Sequence, residues 1–198
     1  NQKPMLIEGG YMSYSDLNTP EIKTMNHGTI IRLGCFNHSR KLTRESINLF
    51  AKTVQAIGKN KCKLVLKSIS FVDLEEQQRI EREFIRAGLS KEQLQVLPCT
   101  NTHEQHLECY NMIDIALDPI PYGGATTTCD ALIMGVPVVT LTGQGMVRRL
   151  TSSVLAHAGC GEWITENEMD FINTCLVLSK AGTRTNERRK LLRKKVIA

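Results

Sequence analysis

The residues Asp118-Pro119-Ile120-Pro121-Tyr122-Gly123-Gly124-Ala125-Thr126-Thr127-Thr128-Cys129-Asp130 bring two carboxylates, a glycine pair and a run of hydroxyls into one short stretch. The apolar run ending at Leu117 reads as a buried strand, and Ala131-Leu132-Ile133-Met134 reads as an apolar helix that stops at Gly135. Gly123 and Gly124 permit backbone conformations and close approaches that a side chain would block. Thr126 and Thr127 place hydroxyls beside the free amides of a helix start, where an anion is favoured. A phosphate cradle is one reading of these residues, and a glycine turn followed by a threonine N-cap is the other.

Several familiar chemistries are absent. No Gly-x-Gly-x-x-Gly follows the first strand, where Gly34-Cys35-Phe36-Asn37 stands instead, which argues against a dinucleotide-dependent dehydrogenase. A Gly-x-x-x-x-Gly-Lys-Ser/Thr loop and a Gly-x-Ser-x-Gly elbow are also missing, so neither a P-loop hydrolase nor an acyl hydrolase is expected. His103 and His106 lack organised carboxylate or thiolate partners, so no metal site is expected. Seven cysteines without a Cys-x-x-Cys pair read as small buried hydrophobes in a reducing compartment.

The net charge of +5 gathers near the C-terminus, in Arg184, Arg188, Arg189, Lys190, Arg193, Lys194 and Lys195. With no aromatic residues interleaved, the segment reads as a solvated helix whose apolar side is Leu191, Leu192 and Val196, and no nucleic-acid partner is expected. No run approaches the ~20 apolar residues of a membrane span. No membrane partner is expected, and the cytoplasm is the expected location.

At 198 residues the chain is long enough to bury a core without staples. Residues 1–28 hold Pro4, Gly9-Gly10 and Pro20 with no sustained period and read as a connecting segment. From residue 29, strands are expected at 29–36, 63–67, 94–97, 114–117 and 136–141. Helices are expected at 43–57, 74–87 (with Ile80, Phe84 and Ile85 inward), 104–112, 146–158 and 166–180, with a basic C-terminal helix in 181–198. Alternating strands and helices describe an α/β, Rossmann-like parallel sheet covered by helices on both faces. Ligands in such sheets sit beyond the carboxyl ends of the strands, where 36–42, 98–106 and 118–130 form loops.

The wording of those loops resembles the C-terminal catalytic lobe of glycosyltransferase family 41, the O-linked N-acetylglucosamine transferases and SPINDLY-type protein O-glycosyltransferases. The resemblance covers roughly residues 29–180. Phe36-Asn37-His38-Ser39-Arg40-Lys41-Leu42-Thr43 looks like the family's Phe-Asn-x-x-x-Lys-Ile/Leu-Thr loop. The resemblance implies that Lys41 is the catalytic lysine on the donor's phosphates, with Asn37 and His38 beside the donor. His106 falls where the family has a histidine near the donor base, with a surface or capping histidine as the alternative. The glycine-threonine stretch is similar to Asp-Thr-x-Pro-Tyr-x-Gly-x-Thr-Thr-Thr-Cys-Asp/Glu. It implies that Gly124, Thr126, Thr127 and Thr128 meet the diphosphate and that Asp130, one helical turn after Thr126, accepts the ribose hydroxyls. Ala125 replaces a histidine of the N-acetylglucosamine transferases, and Lys67 resembles a further phosphate contact of the SPINDLY-type subgroup.

The resemblance therefore implies the C-terminal half of a GT-B enzyme, inverting and metal-independent. It would transfer N-acetylglucosamine or fucose from a uridine- or guanosine-diphosphate sugar to protein Ser/Thr. That nucleotide sugar is a donor substrate and no cofactor is implied. The partners implied are the nucleotide sugar, a protein acceptor, an N-terminal catalytic lobe and helical repeats outside these residues. The isolated chain is expected to bind donor and turn over weakly or not at all. A GT-B sugar epimerase and a non-catalytic Rossmann-like interaction module are the alternatives.

Overall fold

The computed structural model describes residues 14–15, 19–23, 28–180 and 185–197. Pro4, the Gly9-Gly10 pair and Arg184 lie outside the described residues, as does most of the 1–28 connecting segment. Six strands, β1 (Ile31–Cys35), β2 (Cys62–Leu66), β3 (Leu94–Val96), β4 (Ile115–Leu117), β5 (Val138–Leu141) and β6 (Ile164–Thr165), form one sheet. All pairings are parallel, in the order β3-β2-β1-β4-β5-β6. Connections run outward from β1 in one direction through β3, then return to β4 and run outward in the other. The reversal falls between β1 and β4, where a crevice opens at the carboxyl ends of the strands.

The helices are α1 (Arg44–Ile57), α2 (Leu74–Arg86), α3 (His103–Glu108), α4 (Thr126–Ile133), α5 (Met146–His157), α6 (Glu168–Lys180) and α7 (Asn186–Ile197). Both faces of the sheet are covered because both faces of its strands are apolar. Leu33, Leu64, Leu66 and Ile115 meet Leu49, Phe50, Val54, Ile80, Phe84 and Phe171 on one side. Val65, Ala116 and Val138 meet Leu107, Tyr110, Leu132, Met134 and Leu155 on the other. Phe50 and Phe171 stack at 6.4 Å between ring centroids, joining α1 to α6. Among the described residues no helix is long and apolar enough to cross a membrane.

Most expected elements form within one or two residues of their expected ends, with five corrections. The helix expected at 104–112 is α-helical only to Glu108 and finishes as a 3-10 turn, Cys109–Met112. β5 begins at Val138, because the Val136 amide instead donates to the Ala131 carbonyl and belongs to the turn that ends α4. β6 was not expected, since two residues carry no readable period. Ile85 is 45% exposed: the apolar stripe of α2 is narrow and runs through Ile80 and Phe84 alone. The C-terminal helix is the largest correction. Leu191 is exposed, whereas Arg189 is 2% exposed and donates to the carbonyls of Tyr110 (3.4 Å) and Ile113. Arg193 donates to the carbonyls of Ile133 and Pro20. Leu192 and Val196 pack between these arginines on the second core.

The cysteines also divide. Cys35, Cys62, Cys160 and Cys175 are buried, and burial pushes the Cys35 and Cys62 thiols up to about 12. Cys99 is exposed, contrary to the expectation that all seven are buried.

Gly135 closes α4 with φ +69°, and a Cβ there would stand 2.4 Å from the Arg189 carbonyl oxygen on α7. Gly145 has φ +88° with open space around it. Both Gly135→Ala and Gly145→Ala carry the left-handed backbone cost of about 1–3 kcal/mol. Only Gly135→Ala also drives α7 off α4. In urea unfolding Gly135→Ala is expected to be the more destabilised of the two, and equal midpoints would contradict this account.

Candidate functional site

Beyond β1 the chain makes a 3-10 turn, Ser39–Lys41, before Thr43 caps α1 by accepting from the Ser46 amide at 3.2 Å. The same Thr43 hydroxyl donates to the Ile120 carbonyl at 2.6 Å. The Ser46 hydroxyl donates to that carbonyl at 2.7 Å and accepts from the Ile120 amide at 2.8 Å. Ile120 belongs to the loop after β4, so the two loops flanking the strand reversal are tied together. The Ile120-Pro121 peptide within that loop is cis.

Across this tie Lys41 reaches the glycine turn. Its Nζ donates to the Gly123 carbonyl at 2.9 Å and to Asn37 Oδ1 at 3.3 Å, and Thr127 Oγ1 donates to the same Asn37 oxygen at 3.0 Å. The turn itself is held from beneath by Asp118. Its Oδ1 accepts from the Gly124 amide at 2.6 Å and its Oδ2 from the Thr140 hydroxyl at 2.7 Å, while Thr151 donates to the Gly124 carbonyl at 2.8 Å. Neither Gly123 nor Gly124 adopts a positive φ. They are glycines because of close approach: a Cβ at Gly123 would stand 2.8 Å from Thr151 Oγ1, and one at Gly124 2.6 Å from Thr127 Oγ1.

α4 then begins without a threonine cap. Its N-cap residue is Ala125, which supplies no side-chain hydrogen bond, so the threonine N-cap reading is not what forms. Among the described residues no protein acceptor meets the amides of Thr126 and Thr127. A helix start with unmet N–H groups, a lysine ammonium on neutral oxygens and a threonine hydroxyl together suit an oxyanion.

A second cluster lies along the carboxyl ends of β2 and β3. Lys67 is buried, and its Nζ donates to His106 Nδ1 at 2.7 Å and to Thr100 Oγ1 at 3.1 Å. A lysine only donates, so His106 accepts through Nδ1 and its ring N–H is at Nε2, 3.6 Å from Asp130 Oδ2. Asp130 Oδ1 accepts from the Tyr14 hydroxyl at 2.6 Å and lies 3.5 Å from His103 Nε2. A pocket of about 360 Å³ opens beside these groups, with Phe36, His38, Lys67, Ile69, His103 and His106 among its walls. The Phe36 ring packs on Tyr110 at 4.7 Å, and the Tyr110 hydroxyl donates to the Thr127 carbonyl at 3.1 Å. Burial drives the Tyr110 phenol well above its ordinary pKa.

The sequence-derived residues thus fall into two groups. Asn37, Lys41, Gly124 and Thr127 meet at the glycine turn, with exposed Thr126 on the first turn of α4. Lys67, His106 and Asp130 meet at the pocket, where His38 lies within 3.2 Å of the Ser70 hydroxyl. Thr128 joins neither: it is 2% exposed and its hydroxyl faces Thr151 in the interior at 3.5 Å. Sequence reasoning gave no role to Asp118, whose partners become visible only in the fold. It also missed Tyr14, which sits in an aperiodic segment and carries no local signal.

Burial raises the Asp118 carboxyl from 3.8 to about 6, against the lowering effect of its hydrogen bonds from Gly124 and Thr140. The folded protein therefore keeps a proton that the unfolded chain releases, and stability falls as pH rises from 3.8 through about 6. The loss across that window is about 3 kcal/mol. Asn at this position keeps an acceptor for the Gly124 amide and offers an NH₂ to the Thr140 oxygen. Asp118→Asn is expected to remove that share of the pH dependence in thermal unfolding scanned from pH 4 to 7, and an unchanged slope would contradict the assignment.

Comparison with known proteins gives a consistent family. The glycosyl transferase family 41 profile matches residues 24–198. The chain is 31% identical over 163 residues to a probable UDP-N-acetylglucosamine–peptide N-acetylglucosaminyltransferase SPINDLY of Oryza sativa subsp. japonica, covering 82% of this chain and 17% of that protein. The corresponding SPINDLY of Arabidopsis thaliana is 30% identical, with 82% and 18% covered. The chain thus spans less than a fifth of the length of these curated relatives. A mutant of the Thermobaculum terrenum O-GlcNAc transferase superposes with a TM-score of 0.79 at 33% identity, over 91% of this chain and 35% of that one. The C-terminal domain of a group 1 glycosyl transferase from Francisella tularensis, at 13% identity and a TM-score of 0.59, shares the fold over 84% of each chain. The α/β, Rossmann-like architecture is that of a GT-B glycosyltransferase lobe, and the chain belongs to glycosyl transferase family 41, among the O-GlcNAc transferase and SPINDLY-type protein glycosyltransferases.

Proposed function

We propose that this chain is the donor-binding half of a protein O-glycosyltransferase, holding a uridine- or guanosine-diphosphate sugar for transfer to a protein serine or threonine. The observation that carries the reading is the meeting of Lys41, Thr127 and the uncapped start of α4 at the point where the strand order reverses. A nucleoside diphosphate develops negative charge as it leaves the anomeric carbon. The Lys41 ammonium and the Thr126 and Thr127 amides would oppose that charge without a metal ion. Lys41 now donates to a neutral carbonyl, so a phosphate oxygen offers it a stronger, charge-assisted partner.

Asp130 would take the ribose hydroxyls, and the pocket beside His106 and Phe36 would take the base. Attack by the acceptor hydroxyl, with inversion, needs groups on the acceptor side. Those belong to the remainder of the protein, so the isolated domain is expected to bind donor with little or no turnover. Ala125, without the imidazole that N-acetylglucosamine transferases carry at this position, leaves fucose as well as N-acetylglucosamine open as the transferred sugar.

Calorimetry with uridine and guanosine diphosphates tests the reading. One of the two is expected to bind, and Lys41→Ala should weaken it by about tenfold or more, the loss of one hydrogen bond to a charged group, with a smaller loss in Asp130→Ala. Binding of neither nucleotide, or wild-type affinity in both variants, would sink the proposal. In the intact enzyme, prior treatment with EDTA is expected to leave peptide glycosylation unchanged, and a loss restored by a divalent cation would overturn the metal-independent mechanism.

A further inference from the structure

Asp130 is 2% exposed, and neither carboxylate oxygen stands open. Oδ1 holds the Tyr14 hydroxyl at 2.6 Å with His103 Nε2 at 3.5 Å, and Oδ2 faces His106 Nε2 at 3.6 Å. His103 and His106 line the adjoining pocket, whereas Asp130 is not part of its wall. A ribose hydroxyl therefore reaches Asp130 only if one of these three groups yields its place. His106 is anchored from behind by Lys67, and the His103 side chain is half exposed and beyond good hydrogen-bond distance. Tyr14 makes the short bond, and it does so with the functional group a ribose would bring: a neutral O–H donating to the carboxylate.

Resting on the ribose role proposed for Asp130, the geometry points to Tyr14 as an internal occupant of the ribose-hydroxyl position, which an incoming nucleoside diphosphate exchanges for its own hydroxyl. The exchange conserves the number of hydrogen bonds on Asp130, so donor binding gains less from that carboxylate than it would from an open one. Tyr14 also packs, half-buried, against the second core that contains Tyr110, so its ring stays seated whether or not the hydroxyl is engaged. Its removal as a donor should thus be separable from its packing. Tyr14 sets how much of the affinity for the nucleotide comes from the sugar ring.

The variant that tests this is Tyr14→Phe, which keeps the ring and removes only the hydroxyl. Calorimetry in the intact protein would compare the favoured nucleoside diphosphate with its 2′,3′-dideoxy counterpart. The ribonucleotide is expected to bind Tyr14→Phe about five- to tenfold more tightly than wild type, because no internal hydroxyl has to be displaced from a charged acceptor. The dideoxynucleotide, which brings no hydroxyl, is expected to bind both forms alike. Weaker or unchanged ribonucleotide binding overturns the inference, as does an equal shift for both ligands, which a purely structural role would give. If Tyr14→Phe itself fails to prefer the ribonucleotide over its dideoxy counterpart, the ribose reading of Asp130 fails first. If wild type prefers ribose and Tyr14→Phe gains nothing, only the role of Tyr14 fails.

Discussion

The backbone of one residue, Ile120, holds the site together. The carbonyl and amide of Ile120 exchange hydrogen bonds with the hydroxyls of Thr43 and Ser46, from the first turn of α1. Leaving such buried groups unmet costs about 1–3 kcal/mol each, so the loops after β1 and β4 are held at one separation. The lever arms on either side are short. Lys41 lies two residues before Thr43, and Gly123 lies three residues after Ile120, so the tie brings the lysine ammonium onto the glycine turn. Thr43 serves two ends at once, as the cap of α1 and as half of the clamp. The start of a helix and the seating of Lys41 on the glycine turn thus depend on the same hydroxyl.

The electrostatics follow from that placement. Among the described residues Lys41 and Lys67 form no salt bridge; their partners are a carbonyl, an amide oxygen, a hydroxyl and an imidazole nitrogen. An anion arriving at Lys41 adds a charged partner without breaking an ion pair, which is where binding energy survives desolvation. Asp118 supports the turn from below, and burial raises its carboxyl to about 6. Asp130 lies one helical turn beyond Thr126 on α4. One helix therefore carries two different sites, amides at its first turn and a carboxylate one turn on.

Much of this was legible in the sequence because it is periodic or local. The apolar strands announced a parallel sheet, Ile80 and Phe84 announced the buried face of α2, and the glycine-threonine loop announced a turn against a helix start. What was not legible arises from contacts between distant segments. The inward face of α7 is built on Arg189 and Arg193, whose targets are carbonyls at the ends of other helical turns. A hydropathy pattern assigns such residues to solvent, so the face was misplaced. Tyr14 acts through one hydroxyl, 116 positions away from its acceptor. Of the two reasons the sequence offers for glycine at 123 and 124, the crowd of hydroxyls around them is the one that applies, and a positive φ is not.

On the proposed reading, the start of α4 and Asp130 one turn on also fix the direction of the donor. The ribose lies toward Asp130 and the pocket, and the diphosphate lies at Thr126 and Thr127, so the sugar extends away from the pocket past the start of the helix. There the described residues offer the exposed Thr126 and the 52% exposed ring of Tyr122. On that reading this lobe supplies the charge-stabilising half of the reaction, while the group that prepares the acceptor approaches from the opposite side of the anomeric carbon. An inverting displacement requires that arrangement, because nucleophile and leaving group occupy opposite faces of the sugar. Dividing the active site between two lobes places the leaving-group machinery on one wall of a cleft and the acceptor on the other.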